Sequence, residues 1–182
     1  YNAINCPDVS SSPFQGCGGT LTIGEDVERI PSNMFCNAAF TGSLTISSSV
    51  TSIGYHAFYN CSGFNESLTI GNSVTSIGGD AFSGCSGFTA MNALADEPPT
   101  IHNTTFSGVN HDIPVYVSCG SLDAYQNAVG WSEFTNITTN DMCPYTITAT
   151  ANPPEGGTVT GAGEYTGGDE CTLTATANTG YT

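Results

Sequence analysis

Three histidines, eight cysteines and sixteen acidic residues are the side chains with which this 182-residue sequence could do chemistry. His56 and His102 fall in turn-like stretches, and His111 precedes Asp112 in a loop; none lies in a recognisable nucleophile or metal motif. There is no Gly-x-Ser-x-Gly elbow, no His-Glu-x-x-His helix, and no glycine loop closed by a lysine to cradle phosphate. The pairs Glu25–Asp26, Asp96–Glu97 and Asp169–Glu170 invite a glycosidase or calcium reading. None has the ligand spacing of a calcium loop, and surface charge is the simpler role. No two cysteines stand as Cys-x-x-Cys, so the zinc reading falls as well. The expectation is a protein that is not an enzyme, with no cofactor and no metal.

Charge narrows the partners. One Arg and no Lys against sixteen acids give a formal net charge of −15, which excludes nucleic acid and anionic membrane surfaces as partners. Charged residues make up only 9% of the chain, so Ser, Thr, Asn and Gly carry its solubility, and aromatics at 10% argue against a disordered chain. No apolar run is long enough to span a bilayer. A chain with a single basic residue also offers a trypsin-like protease almost nothing to cut. These features together read as extracellular, secreted or on a cell surface.

What must position these residues is a repeat. Leu21, Leu44 and Leu68 recur at steps of 23 and 24 residues, with Ile23, Ile46 and Ile70 in step. The ladder continues through Val27, Val50 and Val74, then Ile30, Ile53, Ile77 and Ile101. Each of these isoleucines is followed five residues later by Phe35, Phe58, Phe82 or Phe106, and a further rung holds Phe40, Phe64 and Phe88. Positions between the rungs drift: the third residue after the ladder isoleucine is Asn33, His56, Asp80, then Thr104. Fixed inward rungs and varying outward ones define a solenoid, in which no unit buries its own apolar face and each must stack on the next. "LTI" and "VTSI" read as short strands with one buried face, and Gly54, Gly71, Gly78 or Ser47 after them as turns.

The stretch "SVTSIGGDAFSGCSGF" resembles the BspA-like leucine-rich repeat of bacterial surface proteins, whose pattern runs Val-x-x-Ile-Gly-x-x-Ala-Phe-x-x-Cys. Three units match well (21–43, 44–67 and 68–91), and a fourth is degenerate, with Pro98 in place of the ladder Val and Asn92 in place of the ladder Leu. The following "IPVYVSCGSLDAYQNAVGWSEFTNI" is similar to the closing segment of that family: a strand at 115–117, a short helix near 121–129, and a lid of Trp131, Phe134 and Ile137. Phe14 and Cys17 keep the Phe-x-x-Cys spacing of a partial first repeat. The tail from Thr146 alternates Thr with apolar residues around "NPPEGG" and "TGGDE" and reads as three short strands. It resembles the small β-repeat domains of bacterial surface proteins, stops inside their motif, and so looks truncated from a longer chain.

The expected fold is therefore mainly β: a leucine-rich-repeat-type solenoid of about four to five repeats with a short α/β cap, then a small β-strand domain. The domain reading is a partial first repeat at 1–20, repeats at 21–110, a cap at 111–140 and a small β-repeat domain at 141–182. Cys61 and Cys85, three residues after a ladder Phe, are expected as buried free thiols. Cys119 with Cys143, both off the ladder, is the favoured disulfide, and the off-ladder Cys6 with the ladder Cys17 is the second candidate. The resemblance implies a bacterial surface protein that binds a protein partner, host or matrix. The outward residues Glu28, Asn33, Tyr55, His56, Tyr59 and Asp80 form the candidate interaction face. The competing reading is a structural subunit that contacts neighbouring copies head to tail as a homopolymer, by strand addition or an intermolecular disulfide.

Overall fold

The computed structural model describes residues 8–139, 144–166 and 169–181. The chain divides into two units, Tyr1–Thr139 and Asn140–Thr182. In chain order the first unit contains β1 (Gly18–Gly19), β2 (Arg29–Ile30), β3 (Ala39–Phe40), β4 (Gly42–Ile46), β5 (Ser52–Ile53), β6 (Phe64–Ile70), β7 (Ser76–Ile77), β8 (Ala90–Ala93), β9 (Val115–Val117), α1 (Leu122–Asn127) and β10 (Ile137–Thr139).

Among the described residues, three parallel sheets run through the first unit. The two "LTI" strands β4 and β6 are continued by β8, β9 and β10 into a five-stranded sheet in the order β10-β9-β8-β6-β4. The short Ile-ended strands form a three-stranded sheet, β2-β5-β7, and β1 pairs with β3; the first "LTI", 21–23, forms no strand. Every neighbour pair is parallel, with Leu44 opposite Leu68, Leu68 opposite Met91, Met91 opposite Val115 and Val115 opposite Ile137. This register corrects the reading of the fourth repeat. Its ladder residue is Met91, fully buried, whereas Asn92 pairs with Thr69 on the outer side. The repeat steps there by 23 rather than 24, and a one-residue slip in a strand exchanges its two faces.

Between the sheets the phenylalanines stack. Ring centroids run from Phe14 to Phe35 at 5.1 Å, to Phe58 at 5.1 Å, to Phe82 at 5.2 Å, to Phe106 at 5.4 Å and to Trp131 at 5.5 Å. A second stack, Phe40–Phe64–Phe88, meets the first edge to face through Phe58–Phe64 and Phe82–Phe88, each at 6.5 Å. Burying one such ring contributes about 2 kcal/mol from area alone, and favourable ring geometry adds about 0.5–1.5 kcal/mol. Val50, Val74, Ile30, Ile53, Ile77, Phe35, Phe58, Phe82 and Phe106 are all buried; Val27 and Ile101 pack against the same cluster half-buried. Cys61 and Cys85 are fully buried free thiols in this column, their Sγ–H groups donating to the carbonyls of Phe35 at 2.9 Å and Phe58 at 3.1 Å.

The turns are more constrained than the drift of their residues suggests. Asn33, His56 and Asp80 all have φ between 54° and 59°, a left-handed conformation that Asn, Asp and His tolerate better than other side chains. A second left-handed column runs through Asn37, Asn60, Gly84 and Gly108, and the Asn60 amide donates to Asn37 Oδ1 at 2.9 Å. The glycine that follows two of the ladder isoleucines, Gly54 after Ile53 and Gly78 after Ile77, has a different reason. A Cβ on Gly78 would lie 2.6 Å from Tyr55 N, so adjacent coils approach too closely for any side chain. Closing the unit, Trp131 and Tyr125 are fully buried, and their Nε1–H and hydroxyl donate to the carbonyls of Pro99 at 2.8 Å and Ala95 at 3.1 Å. Among the described residues no buried side-chain nitrogen or oxygen is left without a partner.

The second unit contains β11 (Tyr145–Ile147), β12 (Gly157–Thr160), β13 (Gly163–Tyr165) and β14 (Thr174–Ala177). Among the described residues these are four strands where the sequence reads as three, paired antiparallel as β11–β13 and β12–β14. The extra strand hides in a glycine-rich stretch, "TGAGEYTGG", with too few β-formers to declare itself.

Candidate interaction surfaces

Two surfaces of the first unit combine exposed side chains with a fixed backbone. The first is the outer face of the five-stranded sheet. Because side chains alternate along a strand, the residue between each Leu and Ile points away from the core. The register aligns these residues across the sheet as Thr45, Thr69, Asn92, Tyr116 and Thr138. The Asn92 amide donates to Thr69 Oγ1 at 3.2 Å, tying the row together. At the β4 end lies a hollow of about 920 Å³, lined among others by Thr22, Thr45, Thr69, Glu25, Glu66 and Leu94. The row is uncharged; the hollow adds two carboxylates. Sequence reading did not single out this face, although the recurring Thr of "LTI" was its signal.

The second surface is formed at the turns. Of the six residues expected on an interaction face, four come together. The His56 ring stacks on Tyr55 with centroids 3.8 Å apart and lies 4.6 Å from Tyr59. Asp80 in the next coil places its carboxylate 3.8 Å from His56 Nε2, too long for a hydrogen bond. Tyr55 and Tyr59 are 51% and 37% exposed, whereas His56 is half-buried rather than fully solvated. The other two do not join them. Asn33 is committed to holding the preceding segment, its amide donating to Val9 O at 2.8 Å. Glu28 is exposed at the start of the short-strand sheet, its carbonyl accepting from Thr51 N and Oγ1. The other histidines stand apart: His102 is exposed beside Thr104, and His111 lies over Phe134 with Nε2 3.3 Å from Phe106 O.

Electrostatics outside this patch are simple. Arg29, the single basic residue, is paired with Asp8 at 2.6 Å. Burial pushes the Cys61 thiol up to about 12, and burial likewise raises Cys85 and the Tyr125 hydroxyl. Such thiols are held neutral and are poor nucleophiles. Among the described residues no three His, Cys, Asp or Glu gather as a metal site, and no helix is long and apolar enough to cross a membrane. Cys143, the expected partner of Cys119, lies outside the described residues. Cys17 is an exposed free thiol, and its expected partner Cys6 also lies outside them.

The profile of the BspA type leucine rich repeat region matches residues 7–118 in six copies. The chain belongs to that family. Residues 145–182 match a second profile, the divergent InlB B-repeat domain. Among curated proteins, none matches the chain. The matched repeats span both stacked phenylalanine columns, Phe14 to Phe106 and Phe40 to Phe88, and solenoids of this family are typically non-catalytic. Together with a B-repeat they mark a repeat-based surface protein suited to protein interaction, of a kind typical of bacterial surfaces.

Proposed function

We propose that this chain is a non-catalytic, extracellular bacterial surface module whose solenoid binds a protein partner through side chains at its turns and on its outer sheet face. The observation that carries the reading is the separation of framework from surface within single strands. The column Leu44–Leu68–Met91–Val115–Ile137 faces inward and stays apolar, while its neighbours Thr45–Thr69–Asn92–Tyr116–Thr138 face outward and change. Residues can therefore be exchanged on the binding side with little effect on the core. Tyr55, His56, Tyr59 and Asp80 act as recognition residues, with Glu28 a peripheral charge. Within the same reading, residues 1–20 begin the first repeat, 21–110 carry the repeats, 111–140 close them and 141–182 form the β-repeat domain. Cys119 bonds Cys143 across the closing segment, as an oxidising compartment permits.

Negative-stain electron microscopy of the secreted protein, with and without reductant, tests this. Isolated particles in both conditions are expected. Regular fibres would replace the module by a polymerising subunit, and fibres lost on reduction would trace the polymer to an intermolecular disulfide.

A further inference from the structure

We propose that the Tyr55–His56–Tyr59 platform, with Asp80 at its rim, docks an arginine-bearing segment of a basic protein partner; this rests on the interaction-module reading above. The platform is built before anything binds. Tyr55 stacks on His56, and its ring lies over Gly79, where even a Cβ would sit only 3.6 Å from it. His56 is fixed by its left-handed backbone, and the Tyr59 N–H donates to His56 O at 3.1 Å. Two exposed aromatic rings held this way lose little freedom on binding, which is the main saving a preorganised surface offers.

The chemistry of the platform favours a planar cation. Tyrosine faces attract guanidinium through the ring quadrupole, and arginine can stack on a ring while its edge reaches a carboxylate. Asp80 offers that carboxylate, and its nearest charged neighbour, His56 Nε2, stands 3.8 Å off, beyond hydrogen-bond reach. The chain has no cation of its own to place there. It has no Lys, and its one Arg is held by Asp8. A second copy of these residues would bring only Arg29, already paired with Asp8, so the occupant that suits the site is a different, basic protein. The net charge of −15 draws such a partner in. A neutral sugar could also stack on tyrosine, but it would draw nothing from the carboxylate or from the net charge.

The test is NMR of the full chain at physiological salt, following the aromatic resonances of Tyr55, His56 and Tyr59. The probe is a capped Gly/Ser peptide carrying two arginines, and its control carries two citrullines. Shifts confined to these three rings are expected with the arginine peptide and absent with the citrulline peptide. The double substitution Tyr55→Ala/Tyr59→Ala should weaken binding by about tenfold, and Asp80→Asn by about threefold. Tyr55→Phe/Tyr59→Phe, which keeps both rings, should retain it, separating loss of the platform from loss of fold. Equal binding of the citrulline peptide, or binding unchanged in the alanine double variant, would overturn the proposal. A response to a neutral oligosaccharide in place of the arginine peptide would overturn it too. Shifts appearing instead along Thr45–Thr69–Asn92 would end the platform proposal and leave the interaction module standing. Fibre formation in place of any binding would end both.

Discussion

The two units use similar β-rich, threonine-rich sequence to opposite effect. In Tyr1–Thr139 each coil lays a Phe, an Ile and a Leu or its equivalent onto the coil before, and most of these side chains vanish from solvent. In Asn140–Thr182 no described residue is buried, and Leu173 and Tyr181 remain 47% and 44% exposed. The strands themselves are not the difference, since the four in the second unit are as long as most in the first. The difference is the number of neighbours a strand has. A strand between two others, such as β6 between β4 and β8, has its apolar side covered from both directions. Two-stranded pairs such as β12–β14 have no such cover, and an isolated pair is marginal in water. Apolar residues become a core only when repetition supplies the next layer.

Substitutions that remove a layer from one unit should therefore have no counterpart in the other. Phe82→Ala, in the middle of the stack, should destabilise the first unit by about 4 kcal/mol, read as a lower midpoint for the Trp131 fluorescence change in urea. A loss below about 1 kcal/mol would mean that the coils do not depend on ring stacking. The comparison sharpens at alkaline pH. Cys61, ordinarily near 9.0, is raised to about 12 by burial, and Cys85 is raised for the same reason. Above the ordinary value the unfolded chain releases these protons while the folded one keeps them. Stability is thus fully present below pH 9 and falls as pH rises toward 12. The slope should be about 1.4 kcal/mol per pH unit for each thiol, and Cys61→Ala should flatten it in pH-dependent urea titrations. The smallest effect belongs to the second unit. Val159→Ala, on a half-exposed strand position, should change stability by no more than about 0.5 kcal/mol, measured by circular dichroism on the same chain. A loss comparable with that of Phe82→Ala would show that this unit has a core after all.

The parts of the fold legible in the sequence are those that repeat. Val50, Ile53 and Phe58 recur as Val74, Ile77 and Phe82 because each occupies the same place in the next coil, and the period reveals the stack without any view of it. Trp131, Phe134 and Ile137 were also legible, since a last coil needs a cover of large apolar residues. What escaped was set by neighbours rather than by pattern. Met91 and Asn92 exchange roles through a step shortened by one residue, which only strand pairing can reveal. Gly78 looks like an ordinary turn glycine, yet the close approach of Tyr55 N is what demands it. The surface was half legible. Tyr55, His56 and Tyr59 could be placed outward by their position in the repeat, but the 3.8 Å and 4.6 Å approaches of their rings follow from side-chain packing that spacing does not announce.

Where the five-stranded and three-stranded sheets advance in step, between the second and third coils, their register has a genetic consequence. Leu44 to Leu68 and Ser52 to Ser76 advance by the same 24 residues, so a whole coil is an exchangeable unit. Unequal recombination between two such coding segments would insert or delete a coil in frame, with every junction identical to one that already exists. Length can then change in a single event, and each added copy arrives with a fresh outer turn on which new side chains can be selected.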